Sequence, residues 1–236
     1  MAIPYELDSA DGKIKRLGLI VLQSDETIEN EFRQMFSDPA IALYHTRISS
    51  APEVTPETLA LMEEEIPHAV QMFPRVELDA IGYACTSGAT VIGPENIAKA
   101  VNSIRPTTLV TDPLTATIAW CRANDVKRLG FLTPYIASVS ESMRTKLIDA
   151  GLEITSFGSF EQEDEHTVAT ISEASILAAV GVIDTTECQA IFISCTNLHA
   201  LNVVKDAQQI LGKPVISSNT ALAWHLRELG KLNPSR

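Results

Sequence analysis

Eight short apolar runs, rich in β-branched and aromatic residues, recur along the chain at 17–22, 43–48, 78–84, 107–110, 129–132, 152–157, 190–194 and 215–217. Runs of this length between turn residues predict buried strands. Between most of them the apolar spacing switches to that of a helix face. Ile28, Phe32, Met35 and Phe36 fall at i, i+4, i+7 and i+8, and Leu59, Met62, Ile66, Ala69 and Val70 also share one face. Pro94 suits the start of a helix reaching Ser103, and a helix over 198–211 stops before Gly212. Strands alternating with helices predict an α/β fold, with parallel sheets covered by helices on both faces.

The pattern is duplicated. Asp79-Ala80-Ile81-Gly82-Tyr83-Ala84-Cys85-Thr86-Ser87 is matched by Gln189-Ala190-Ile191-Phe192-Ile193-Ser194-Cys195-Thr196-Asn197, 110 residues later, and Lys15-Arg16-Leu17-Gly18 recurs as Lys127-Arg128-Leu129-Gly130. The duplication predicts two pseudo-symmetric Rossmann-like (flavodoxin-like) halves. The final strand and helix are assigned to the first half, giving 1–113 plus 214–236 for the first and 114–213 for the second. Each motif cysteine ends a strand, where open parallel sheets bind ligands, so the expected active site is the cleft between the halves.

Composition narrows the function. With 236 residues and 45% hydrophobic content the chain can bury a sizeable core, and no run of about 18 apolar residues suggests a membrane span. A formal charge of −12 opposes nucleic acid and anionic membrane surfaces as partners. Residues 1–15 lack the order of a secretory signal, which makes the cytoplasm the expected compartment. Four cysteines without a Cys-x-x-Cys pair predict reduced thiols rather than a disulfide scaffold or zinc finger. Apolar helix faces predict a homo-oligomer.

Two thiols reaching one small molecule from opposite sides suit two-sided proton transfer. Thr86, Ser87 and Gly88 follow Cys85, and Thr196 and Asn197 follow Cys195; their hydroxyls, amide and backbone N–H groups offer donors for a carboxylate. Cysteine also packs well in cores, and Cys121 and Cys188, outside the repeat, are read that way. In the loop after the first strand, Ser24 and Asp25 suit either a helix cap or a substrate contact. Tyr135, in the corresponding loop of the second half, suits a ligand hydrogen bond or the interface between halves. Asp112 reads as the cap of a helix over 115–122, and His199 as exposed on its helix. The acidic run 161–166 reads as a solvated loop or a lid, and Glu63-Glu64-Glu65 as a solvent-facing helix surface.

These motifs are similar to those of the Asp/Glu racemase superfamily, in the branch of maleate cis-trans isomerase, arylmalonate decarboxylase and the ectoine-utilisation racemase-like proteins. The resemblance runs from Arg16 to Leu229 and is most specific at 84–88, 194–198 and 24–29; 25–29, 111–115 and 217–219 look most like the ectoine-utilisation group. It implies a small carboxylate substrate and neither metal nor organic cofactor. By position it makes Cys85 and Cys195 the catalytic pair, gives the carboxylate to Thr86, Ser87, Thr196 and Asn197, and puts the family tyrosine on Tyr135. Asp25 and the neighbourhood of Glu165 depart from the maleate enzymes, which carry asparagine there. An acid at position 25 repels one carboxylate of a dianion or accepts a hydrogen bond from a cationic amine or amidine.

Two enzymatic paths remain open at this level: proton abstraction by one thiolate with return by the other thiol, or addition of one thiolate to a double bond followed by rotation and departure. A decarboxylase needs one cysteine, so retention of two argues against it. A non-catalytic small-molecule binding protein of the same fold is the alternative of another class.

Overall fold

All eight apolar runs form strands in a computed structural model that describes residues 1–7, 14–51 and 53–232. Strands β1 (Lys15–Leu22), β2 (Ile41–Ile48), β3 (Ala80–Ala84) and β4 (Leu109–Thr111) make a parallel sheet in the order β2-β1-β3-β4. A second parallel sheet takes β5 (Arg128–Tyr135), β6 (Glu153–Gln162), β7 (Ala190–Ile193) and β8 (Val215–Ser217) in the order β6-β5-β7-β8. The orders are identical once the second set is renumbered, so the sequence repeat is a repeat of topology. Every residue of β3 and β7 is buried, which explains their unbroken apolar character, whereas the edge strands β2 and β6 are half-buried along most of their length.

Helices cover both sheets. In the first half they are α1 (Ile28–Met35), α2 (Pro56–Leu61), α3 (Ile66–Gln71), α4 (Thr86–Ile92) and α5 (Pro94–Asn102), followed by α6 (Pro113–Ala123). The second half adds α7 (Ala137–Asp149), α8 (Glu165–Ala169), α9 (Glu173–Ile183) and α10 (Leu201–Leu211), and α11 (Ser218–Leu229) closes the described chain. The single face expected over 59–70 is buried as a unit, although a 3-10 turn at Met62–Glu65 separates α2 from α3. Among the described residues no helix is long and apolar enough to cross a membrane.

The final strand and helix separate, contrary to their joint assignment to the first half. Strand β8 pairs with β7 through Ile191↔Val215, Phe192↔Ile216 and Ile193↔Ser217, so the strand belongs to the second sheet, not the first. The turn through left-handed Gly212 returns α10 directly to that sheet edge. Helix α11 then starts at Ser218 with no linker and lays Leu222 and Leu226 on β3 of the first sheet. A Cβ on Gly82 would lie 3.2 to 3.3 Å from those two leucines and Leu19, so glycine lets helix and strand approach closely. The Ser217–Ser218 joint therefore stitches the halves together beside the carboxyl ends of β3 and β7.

Candidate active site

Parallel pairing brings the loops after β1, β3, β5 and β7 to corresponding sheet edges. Cys85 directly follows β3 and caps α4: its Sγ accepts the Gly88 N–H at 3.1 Å and lies 3.4 Å from Ser87 Oγ. Residues 86–88 are the first turn of that helix. A Cβ on Gly88 would sit 3.0 Å from Sγ and 2.6 Å from the Tyr83 hydroxyl, so only glycine brings this N–H to the sulfur.

Cys195 occupies the same topological position with a different backbone. Its φ is 120°, a region that L-residues with side chains rarely adopt. Two bonds hold it there: the Cys195 N–H donates to Ser218 Oγ at 2.9 Å, and Sγ accepts the Asn197 N–H at 3.3 Å. No helix starts directly after it. Helix α10 begins at Leu201, three residues later than expected, where buried Glu31 of α1 accepts the N–H groups of Ala200 and Leu201 at 2.9 and 2.8 Å. Asn219 donates to the other Glu31 oxygen and to the Thr196 carbonyl, at 2.8 and 2.9 Å.

The residues flanking the two cysteines are bonded to each other across the halves. Thr86 Oγ1 and Ser218 Oγ are 2.8 Å apart, so a chain of two hydrogen bonds runs from Thr86, through Ser218, to the Cys195 N–H. Thr196 Oγ1 also donates to the Ala84 carbonyl at 3.4 Å. Both thiols are nearly sealed from solvent, at 2% and 1% exposure, and both feel the carboxylates of Glu165 and Asp25. Tyr135, at the end of β5 rather than in a loop, faces Cys195 and is also influenced by Glu165 and Cys85.

Asp25 fills the structural one of its two expected roles, at the start of α1. Its Oδ1 accepts the Thr27 and Ile28 N–H groups at 2.8 Å each and so caps α1, while its buried Oδ2 has no partner among the described residues. Ser24 turns away to Ser50, with 3.0 Å between hydroxyls. The Asn197 side chain is engaged within the protein: Oδ1 accepts the Glu26 N–H at 2.8 Å, and Nδ2 donates to the Glu165 carbonyl and carboxylate at 3.0 and 2.9 Å.

The apolar and polar pattern alone does not single out Glu165. The run 161–166 is not simply a solvated loop: its end pairs with the first half, Val54 N–H donating to the Glu163 carbonyl at 3.0 Å, and Asp164 caps α8. That cap turns Glu165 inward to 6% exposure while Glu163, Asp164 and His166 stay exposed. Asp164 with Thr167 is the readable signal, a helix start hidden in a charged run. Asp112 is the cap of α6, as expected, accepting from the Leu114 and Thr115 N–H groups at 2.9 Å each. His199 is exposed, but in the turn before α10. Cys121 is buried in the core, and Cys188 packs among the hydroxyls of Thr155, Ser156 and Thr185, each 3.2 Å from its sulfur. All four cysteines are free.

Electrostatics in the site oppose ionisation. Burial pushes the Cys85 thiol up to about 12; the Ser87 hydroxyl and the Gly88 N–H pull it back, and Glu165 and Asp25 push it further. Burial raises Cys195 well above the ordinary thiol range, Glu165 adds to this, and Tyr135 and the Asn197 N–H oppose it. Burial also raises Asp25 and lifts Glu165 to about 7, with the Asn197 amide pulling Glu165 down and Asp25 pushing it up. Among the described residues no three His, Cys, Asp or Glu side chains are grouped as a metal site. The constellation gathers two buried thiols, a tyrosine and two buried acids at the carboxyl ends of the strands.

Known proteins carry the same architecture. The family model described as arylmalonate decarboxylase matches residues 17–235. The maleate isomerase of Nocardia farcinica is 28% identical over 223 residues, 90% of this chain and 89% of that protein. A cysteine-to-serine mutant of a Nocardia farcinica maleate cis-trans isomerase, solved with a covalently bound succinylcysteine intermediate, superposes with a TM-score of 0.85 at 27% identity, covering 93% of this chain and 94% of that one. A mutant arylmalonate decarboxylase in liganded form gives 0.82 at 20% identity, with 92% of each chain covered, and shows the shared fold.

Proposed function

The chain belongs to the arylmalonate decarboxylase family, and on that premise we propose that it is a cofactor-independent isomerase of a small carboxylate, with Cys85 and Cys195 as its paired catalytic thiols. The observation that carries this reading is the hydrogen-bonded path from Thr86 through Ser218 to the Cys195 N–H, which joins the two cysteine loops around shared neighbours.

Cys85, capping α4 beside Ser87 and Gly88, is the better placed to act as the thiolate, and Cys195 beside Tyr135 the better placed to act as the acid. In a cis-trans isomerisation the Cys85 sulfur adds to one alkene carbon, and the π electrons move to the carbon α to the carboxylate, where the Cys195 thiol delivers its proton. Rotation about the new single bond comes next. Transfer of the α carbon's original proton, which the rotation turns towards Cys195, to the Cys195 thiolate and expulsion of the Cys85 thiolate then restore the alkene. The hydroxyls of Thr86, Ser87 and Thr196 and the nearby N–H groups hold the carboxylate and its developing enediolate charge, while Ser24 and Asn197 fix the Asp25 loop and Glu165. The similarity to maleate isomerases, one of them with a covalent succinylcysteine, supports this path.

Racemisation of the ectoine-utilisation type is the second reading, supported by the acids Asp25 and Glu165, which suit a substrate bearing an amino or amidine group. There the Cys85 thiolate removes the α proton and the Cys195 thiol protonates the opposite face. Four free thiols support work in the cytoplasm, and exposed Leu61, Met72, Val182 and Ile210 support a homo-oligomer. Proton NMR in deuterated solvent with maleate and other small carboxylates tests the function: deuterium at the α carbon is expected, and its absence together with the absence of isomerisation across the set would reject it.

A further inference from the structure

Glu31, on helix α1 of the first half, is a buried acid, 4% exposed, to which the proposed reaction gives no part. Its partners all lie at the Cys195 loop or beside it. Oε1 accepts the Ala200 and Leu201 N–H groups at 2.9 and 2.8 Å, and Oε2 accepts Asn219 Nδ2 at 2.8 Å. The same Nδ2 also donates to the Thr196 carbonyl at 2.9 Å, while the buried Asn219 Oδ1 has no partner among the described residues. That amide is oriented by its two acceptors and leaves its own acceptor unpaired. The residues just before α1 grip the middle of the loop: Thr27 Oγ1 donates to the Asn197 carbonyl at 2.9 Å, and the Glu26 N–H to Asn197 Oδ1 at 2.8 Å. The loop's own sheet lets go early. The Ser194 N–H still donates to the Leu132 carbonyl at 2.8 Å, but the next N–H, that of Cys195, turns to Ser218 of α11.

We propose that Glu31 is the positioning residue of the second thiol: through Ala200 and Leu201 at one end of the loop, and through Asn219 and Thr196 at the other, its carboxylate holds Cys195 in place although the cysteine belongs to the other half. This deepens the paired-thiol reading and rests on it. The Cys195 φ of 120° is disfavoured for a residue with a side chain, so the loop relaxes unless its surroundings over-determine it. A carboxylate on a packed helix does so, because both of its oxygens accept and neither donates. Burial raises the Glu31 pKa, against the pull of the Asn219, Leu201 and Ala200 donors. A glutamine at this position presents one acceptor and one NH2. That NH2 either faces the Ala200 and Leu201 N–H groups or turns the Asn219 amide over, which strips the Thr196 carbonyl of its donor. Cys85 needs no such support, since its sulfur is held by the Gly88 N–H of its own helix turn.

The test is alkylation by iodoacetamide without substrate, followed at each cysteine by peptide mass spectrometry. Glu31→Gln is expected to raise the Cys195 rate at least about tenfold, while Cys85 and the core Cys121 stay within about threefold, because the loop opens locally and the fold does not. Phe32→Leu, a core change on the same helix that bears none of these bonds, is the control and should leave the Cys195 rate within about threefold. In turnover of maleate or another small carboxylate that wild type isomerises, Glu31→Gln should lower kcat about tenfold or more, with KM within about threefold. If Glu31→Gln does not fold, Asn219→Ala, which removes only the arm through Asn219, carries the same test with a rise of about fivefold or more at Cys195 alone. An unchanged Cys195 rate, a rise shared equally by Cys85 and Cys121, the same rise in Phe32→Leu, or an unaltered kcat overturns the proposal. Alkylation is read without turnover, so the two readings fail separately. Full activity of Cys195→Ser rejects the thiol pair and leaves the alkylation pattern standing, whereas an inactive Cys195→Ser with no change at Cys195 in Glu31→Gln rejects the Glu31 assignment alone.

Discussion

The two cysteine loops begin from nearly the same sequence and end in different structures. After β3, Cys85-Thr86-Ser87-Gly88 runs straight into a helix and the thiol becomes its cap; after β7, Cys195-Thr196-Asn197 holds a backbone at φ 120° and delays the helix to Leu201. The cause lies in the residues after each threonine. Ser-Gly admits a tight first turn whose N–H reaches sulfur, whereas Asn197 is drawn away to Glu26 and Glu165. Duplication therefore supplied two thiols, and divergence gave them unequal surroundings. One is held by local bonds, the other by bonds that cross between the halves.

That asymmetry breaks most sharply under removal of each sulfur. Cys85→Ser and Cys195→Ser should each lower turnover by about 10³-fold or more, with affinity for a competitive ligand within about tenfold. Mass spectrometry should distinguish them, since a covalent substrate adduct is expected to persist in Cys195→Ser and to be absent in Cys85→Ser. Equal adduct levels in both would contradict the assignment of roles.

Next in size is a test of the crossing helix. Leu226 is fully buried against β3, and Leu226→Ala should cost about 2–5 kcal/mol in chemical denaturation, more than an exposed-face change such as Arg122→Ala, expected within about 0.5 kcal/mol.

Glu165→Gln sharpens the electrostatic side. With its pKa lifted from the ordinary carboxylate range to about 7, Glu165 keeps its proton in the folded state where the unfolded chain has lost it, so its contribution to stability falls as pH rises from about 4.5 towards 7. The variant should match wild type near pH 4.5 and become the more stable by roughly 1–3 kcal/mol at pH 8. A stability difference that does not change with pH in thermal melts would show that Glu165 stays ionised throughout.

Ser218→Ala carries the smallest expected effect. It leaves the Cys195 N–H unpaired and should cost about 1 kcal/mol of stability, with kcat lowered more than KM is raised, because it loosens the acid rather than the ligand. Equal changes in the two would make Ser218 a binding group instead.

What the sequence disclosed is what local pattern controls. Runs such as 78–84 and 190–194 announce buried parallel strands by their unbroken apolar character, and the repeated Cys-Thr announces the strand ends that carry the site. What it withheld depends on partners far along the chain. Glu31 looks like any acid on an amphipathic helix until it caps α10 some 170 residues later. Glu165 is hidden by exposed acids on either side, and only the Asp164 cap turns it inward. The parting of β8 from α11 is decided by which sheet each apolar surface can reach, a tertiary matter that a three-residue strand cannot signal alone.

The central claim, that two thiols act on one ligand, is most directly tested by tracking deuterium uptake by NMR in deuterated buffer with maleate and other small carboxylates, for wild type and for Cys195→Ser. The account predicts isomerised product labelled at the α carbon with wild type and a loss of that signal by about 10³-fold in the variant. Full labelling and full turnover by Cys195→Ser would contradict it.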